Sequence, residues 1–279
     1  MIWNVLALSM IAGLGTGLGG MIAVIRQPGR RTFGLLMGVT AGVMITLSFV
    51  DLVNHALELA GVWITTIGFT LGALFMLLID MVIPHIRFGE KEFDGVKKQD
   101  LNQGIVLDDQ GHFKHHRHKW GWKSRTHITD VSLLKTGLLV GLGIAIHNTP
   151  EGIAVGAGYA HTPEFGIFIA TAITLHNIPE GIATALPLYK SGMSRRRAAG
   201  FAFLSGLTEP IGALLAVLVL TSFDALIPAA LAFAGGVMVF ITLDELIPMA
   251  REHGHQHYTA FGIILGAVFV FILSGILDV

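Results

Sequence analysis

Residues 135–159 read KTGLLVGLGIAIHNTPEGIAVGAGY, and after a short gap residues 164–189 read EFGIFIATAITLHNIPEGIATALPLY. Each stretch exceeds the about 20 mostly apolar residues that a helix needs to cross a hydrocarbon core. Each also carries the same polar insertion in its middle. The first has His147-Asn148-Thr149-Pro150-Glu151-Gly152, the second His176-Asn177-Ile178-Pro179-Glu180-Gly181. A charge at that depth costs about 2.5–3.5 kcal/mol on insertion scales, so such residues face a bundle interior or a wet cavity. Barrel strands would be half as long and would alternate apolar with polar residues. The reading is therefore all-α: a polytopic bundle of membrane-crossing helices with polar groups inside.

Six further segments qualify as crossings, near 2–25, 33–56, 62–84, 198–221, 226–250 and 258–278, which makes eight in all. The composition agrees. The 279 residues are 53% hydrophobic and 13% charged, where a soluble chain carries about a quarter charged residues. The first segment has no basic residue before it, which argues against a signal peptide. There is no cysteine, so disulfides and thiolate ligands are excluded. Any bound metal must be held by His, Asn, carboxylates or backbone carbonyls.

The 18 Lys and Arg test the span count. Arg26, Arg30 and Arg31 lie between spans one and two, and nine basic residues from Arg87 to Arg125 lie between spans three and four. Lys135 opens span four, Lys190 and Arg195 to Arg197 lie between spans five and six, and Arg251 follows span seven. All are on the side reached after odd-numbered spans. The positive-inside rule makes that side cytoplasmic and puts both termini outside. The chain then divides into residues 1–84 with spans one to three, a flexible cytoplasmic loop at 85–131, and residues 132–279 with spans four to eight. That loop carries His112, His115, His116, His118 and His127, and a His-rich tract of this kind can buffer or sense metal.

The two motifs share a helical logic. His147 and Glu151 are four apart and share a face, as do His176 and Glu180. Pro150 and Pro179 each remove one N–H and crowd the carbonyl four residues back, so kinks that bare the Ile146 and Leu175 carbonyls are expected. Glu209-Pro210 sits near the middle of span six, and Thr208 before it is expected to bond back to its own helix. Paired interrupted helices at the midplane, running in opposite directions, have the character of an inverted repeat and point to a transporter binding site. The donor set is two imidazoles, three carboxylates and two amides. Imidazole suits zinc, iron, nickel and copper, whereas calcium and magnesium prefer oxygen cages. Two ions bridged by Glu151 or Glu180 fit such a set. Weaker signals are Asp51 and His55 on span two, read as an entrance relay above Ser48 and Met44 or else as an interfacial polar collar. Asp244 and Glu245 near the inner end of span seven, with His253, His255 and His257 in the next loop, are read as an exit route, with Asp244 as a simple interfacial residue the alternative. His85 and His161 carry no evident role.

Together these residues resemble the ZIP (Zrt/Irt-like) metal transporters, and within them the bacterial ZupT-type branch. The resemblance covers essentially the whole chain: eight spans, the long His-bearing loop and the doubled HNxPEG motif. It implies a binuclear site, with His147, Glu151, His176 and Glu180 at one position. Asn148, Asn177 and Glu209 would form the other, with Glu151 and Glu180 bridging. It also implies a bacterial inner-membrane protein that moves zinc, iron, manganese or cadmium inward. Some family members have Gln-Asp where this chain has His176-Asn177. The metal is cargo, and no resident cofactor or nucleic acid is expected. A homodimer fits this reading, although no packing motif marks its face. Two other classes stay open on the sequence. An intramembrane zinc-dependent hydrolase would need an open coordination position and a base distinct from the ligands. A metal sensor would need a folded signalling domain.

Overall fold

The computed structural model describes residues 1–82 and 130–279. The expected 85–131 loop, with its five histidines, therefore lies almost wholly outside the described residues. Within them every regular element is helical. The elements are α1 (Ile2–Ile25), α2 (Arg30–Thr46), α3 (Asn54–Val82), α4 (Val131–His161), α5 (Pro163–Lys190), α6 (Arg195–Gly206), α7 (Thr208–Leu220), α8 (Ile227–Ile241), α9 (Ile247–His253) and α10 (Gln256–Leu277). Six stretches among the described residues are long and apolar enough to cross a membrane: Ile2–Ile25, Arg30–Val82, Leu133–His161, Arg195–Leu220, Asp224–Glu252 and Gln256–Leu277.

The second of these holds 53 residues, about 80 Å if it were one straight helix. It is not straight. Gly61 has φ 72° and ψ −178°, a conformation essentially reserved for glycine. The rings of Phe49 and Phe69, on either side of it, lie 5.9 Å apart, so the chain doubles back there.

The helices form two groups. In one, α1 packs on α5, α6 and α7, and α4 packs on α5 and α7. In the other, α3 packs on α8, and α2 packs on α9 and α10. The groups meet mainly where α4 crosses α8 and α2 crosses α5. The seams within each group are built on small residues. Gly13 faces Gly206, Gly15 faces Thr174, Gly19 faces Ile178, and Gly262 and Gly266 face Leu35 and Val39. These glycines let the helix backbones approach one another closely.

Three details depart from the sequence reading. First, α4 and α5 continue through Pro150 and Pro179. The carbonyls with outside partners are those of Ala145, 2.6 Å from Thr208 Oγ1, and His176, 3.2 Å from Thr40 Oγ1. Each stands one residue from the expected Ile146 and Leu175. Thr208 therefore does more than bond back to its own chain at Ser205, 2.8 Å away; it ties α7 to α4. Second, span six is broken at Leu207, and Glu209 stands in the first turn of α7. Third, π-helical segments interrupt spans two and seven, at Leu47–Val53 and Thr242–Leu246. They hold Asp51 in one case, Asp244 and Glu245 in the other. Such bulges are frequent at functional sites.

Candidate metal centre

The doubled motif places its residues on facing helices, α4 and α5, and the broken sixth span brings Glu209 to them. His147 is 1% exposed, and Asn148, Glu151, His176, Asn177, Glu180 and Glu209 are fully buried. The helices exchange partners crosswise. His147 Nε2 lies 3.3 Å from Glu180 Oε2, and His176 Nε2 lies 3.1 Å from Glu151 Oε1. The expected i, i+4 neighbours on one face therefore meet their counterparts on the other helix. Asn177 Nδ2 donates to Glu209 Oε2 at 2.9 Å and to the Ala12 carbonyl at 3.0 Å. Asn148 Nδ2 donates to the Ser205 carbonyl at 3.1 Å.

These bonds orient the side chains without using them up. Among the described residues nine buried side-chain atoms find no hydrogen-bond partner, and seven of them belong to this cluster, one per residue. They are His147 Nδ1, Asn148 Oδ1, Glu151 Oε2, His176 Nδ1, Asn177 Oδ1, Glu180 Oε1 and Glu209 Oε1. An unpartnered buried polar atom costs about 1–3 kcal/mol. Five of the seven are oxygens, the atoms that meet a cation, and the other two are imidazole nitrogens. Ligand atoms from His147, Glu151 and Glu180 already converge within 4.8 Å of one another. This donor chemistry fits a borderline divalent ion.

The glycine that ends each motif has a physical reason. A Cβ on Gly152 would collide with the Glu209 carbonyl, and one on Gly181 would collide with the Thr16 carbonyl. Gly152 thus lets α7 approach α4 closely enough to deliver Glu209. Gly181 lets α1 approach α5, where the Ala12 carbonyl holds Asn177.

The weaker candidates divide. Asp51 is 3% exposed and its Oδ2 has no partner. The Nδ1 of His55 lies 2.9 Å from the Asp51 backbone oxygen. Asp244 and Glu245 point differently. Asp244 is exposed, whereas Glu245 is buried and lines a small cavity with His147, Glu180, Met37 and Met249. His255 and His257 are exposed, with ring centroids 5.7 Å apart, and the side chain of His253 lies outside the described residues. The loop expected to hold these histidines is short, since His253 ends α9, His255 caps α10 and His257 lies in its first turn. Sequence reasoning passed over His161. Its ring packs against that of His55, and no spacing in the sequence relates residues so far apart.

The chain resembles known zinc transporters along nearly its whole length. Residues 88–274 match the family described as ZIP Zinc transporter. The chain is 38% identical over 270 residues to the zinc transporter ZupT of Oceanobacillus iheyensis, covering 93% of this chain and 92% of that one. It is 35% identical over 272 residues to zinc transporter ZupT of Clostridium perfringens, covering 94% and 91%. It is 37% identical over 280 residues to zinc transporter ZupT of Akkermansia muciniphila, covering 96% of each. With matches that run nearly end to end, and with a buried His and Glu cluster at the heart of the helices, the chain belongs to the ZIP zinc transporter family, a family of integral membrane transporters rather than enzymes.

Proposed function

We propose that the chain carries zinc, and with it iron, manganese or cadmium, into the cytoplasm through the buried cluster. The observation that carries this reading is that each of the seven cluster residues keeps one buried donor atom without a protein partner. His147, Glu151, His176 and Glu180 would hold one ion. Asn148, Asn177 and Glu209 would hold a second, with Glu151 and Glu180 shared. In this arrangement each imidazole and its crosswise carboxylate hold one another in place, and the ion replaces that contact. The carboxylates neutralise the ion's charge where water is scarce.

Topology belongs to the same proposal. Arg30–Val82 folds back at Gly61 and supplies two crossings. Pro163–Lys190, with 28 residues, has the length of another. That makes eight, with the basic residues on the cytoplasmic side of a bacterial inner membrane and both termini outside. Asp51 and His55 would then lie toward the outer face, and Glu245, beside His147 and Glu180, would lead inward. Asp244 and the histidines His253 and His255 continue that exit. A homodimer is compatible with this proposal, and native mass spectrometry from mild detergent would check it.

The test is zinc uptake into proteoliposomes loaded with a zinc-sensitive dye. Wild-type protein should give flux, and Glu151→Ala and Glu180→Ala should each reduce it to the protein-free background. Near-wild-type flux in either variant would show that the ion does not pass through this cluster.

A further inference from the structure

Away from the cluster, three side chains from three helices meet at the end of the bundle where α4 turns into α5. His55 lies in the first turn of α3, His161 is the last residue of α4, and Phe165 lies in the first turn of α5. The His55 ring stacks on Phe165 with centroids 4.1 Å apart and planes 22° from parallel. The His161 ring stands edge-on to His55, with centroids 5.7 Å apart and planes at 73°. His161 is in turn 5.9 Å from Phe165, at 90°. Both histidines are half-buried. One turn deeper along span two sits the buried Asp51 carboxylate with its unpartnered Oδ2.

From this geometry we infer that His55 and His161 form a separate binding site for a divalent transition-metal ion. Three features support it. The first is the tautomer. A backbone carbonyl only accepts, so the 2.9 Å contact between His55 Nδ1 and the Asp51 oxygen puts the proton on Nδ1. Nε2 then carries a free lone pair, and an imidazole oriented by a carbonyl at its other nitrogen is the usual arrangement of a metal-ligating histidine. The second is rigidity, because Phe165 fixes the plane of the His55 ring. The third is spacing. Two imidazoles on one tetrahedral ion at about 2.0–2.1 Å stand roughly 5–6 Å apart between ring centres, and these rings are 5.7 Å apart. Two nitrogen donors select zinc-like ions over calcium or magnesium. With only two protein ligands and water completing the shell, the site binds more weakly than the seven-residue cluster. His55 belongs to the helix group of α3 and α8, His161 to that of α1 and α5, so an ion here links the two groups. Only the identification of this end as the outer side rests on the transport reading. On that reading it is where an arriving ion is first held, with Asp51 next.

The test uses full-length protein in detergent and counts zinc bound at saturation, in a Glu151→Ala/Glu180→Ala background that removes the cluster. His55→Ala, His161→Ala and the double variant should each bind one zinc fewer than the background protein, and the same one. His161→Gln, which keeps a polar side chain but offers no imidazole, should behave like His161→Ala while eluting and melting like the background. An unchanged zinc count in either single variant would overturn the proposal, as would a loss of two in the double variant. Neither result would touch the transport reading, which stands or falls on wild-type flux against Glu151→Ala.

Discussion

Each cluster residue is held by one atom and open at another. Glu209 shows this most simply. Its Oε2 accepts from Asn177 at 2.9 Å, while Oε1 has no partner. A glutamine can keep the first bond through its carbonyl oxygen, but it places an NH₂ donor where the free oxygen stood. Glu209→Gln should therefore fold normally and lose one of the two zinc ions proposed for the cluster, the one on the Asn148 and Asn177 side. Equilibrium dialysis of the purified variant would check this, and loss of both ions would contradict two separable positions. Six of the seven residues stand out in the sequence as a doubled HNxPEG at mid-span, and Glu209 as a third mid-span carboxylate; the structure buries all seven together. What the sequence did not contain was the pairing. Spacing within a helix put His147 beside Glu151, and their ligand atoms do lie within 4.8 Å of each other, but the hydrogen-bonding partners come from the facing helix, Glu180 for His147 and Glu151 for His176. The His55 and His161 contact escaped for the same reason, because it is made across the seam between two helix groups.

Helices succeed here by approaching one another closely, and two glycines separate that role from the role of conformation. Gly152 is helical and touches the backbone of α7; Gly61 has open space around it but a backbone angle that side chains rarely adopt. Adding a methyl group at either should destabilise the fold by about 1–3 kcal/mol, through overpacking at Gly152 and strain at Gly61. The consequences for the site should differ. Gly152→Ala pushes away the helix that carries Glu209, so zinc affinity should fall at least ten-fold. Gly61→Ala lies at a turn far from the cluster and should lower the melting temperature with affinity unchanged within two-fold. Melting curves and zinc titrations on both variants would decide it; equal affinities would mean that Glu209 does not depend on that close contact. Element boundaries read from hydropathy matched the described helices closely. The π-helical turns at Leu47–Val53 and Thr242–Leu246 and the break at Leu207 did not show, because apolar length reports that a helix crosses and says nothing of its hydrogen-bond register.

For the whole molecule the open question is the number of crossings, and the charges make it decidable. Length and composition pick out six candidate spans among the described residues, counting Arg30–Val82 once and omitting Pro163–Lys190. If six were the number of crossings, the segment after Val82 would emerge outside and carry nine basic residues there, against the positive-inside rule. Eight crossings, with a reversal at Gly61, put all 18 Lys and Arg on one side. The chain has no cysteine, so single cysteines report position without interference. Gln27, Glu164 and Ser222 are exposed residues at or beside three different turns. With eight crossings, Glu164→Cys and Ser222→Cys should react with a membrane-impermeant maleimide on intact cells, and Gln27→Cys only after permeabilisation. With six, Gln27 and Ser222 would behave the same but Glu164 would move to the inside, so this residue alone separates the two counts. Labelling of Gln27→Cys on intact cells would instead turn the molecule over. The His55 and His161 pair would then lie at the cytoplasmic end of the path, and Glu245 at the outer one.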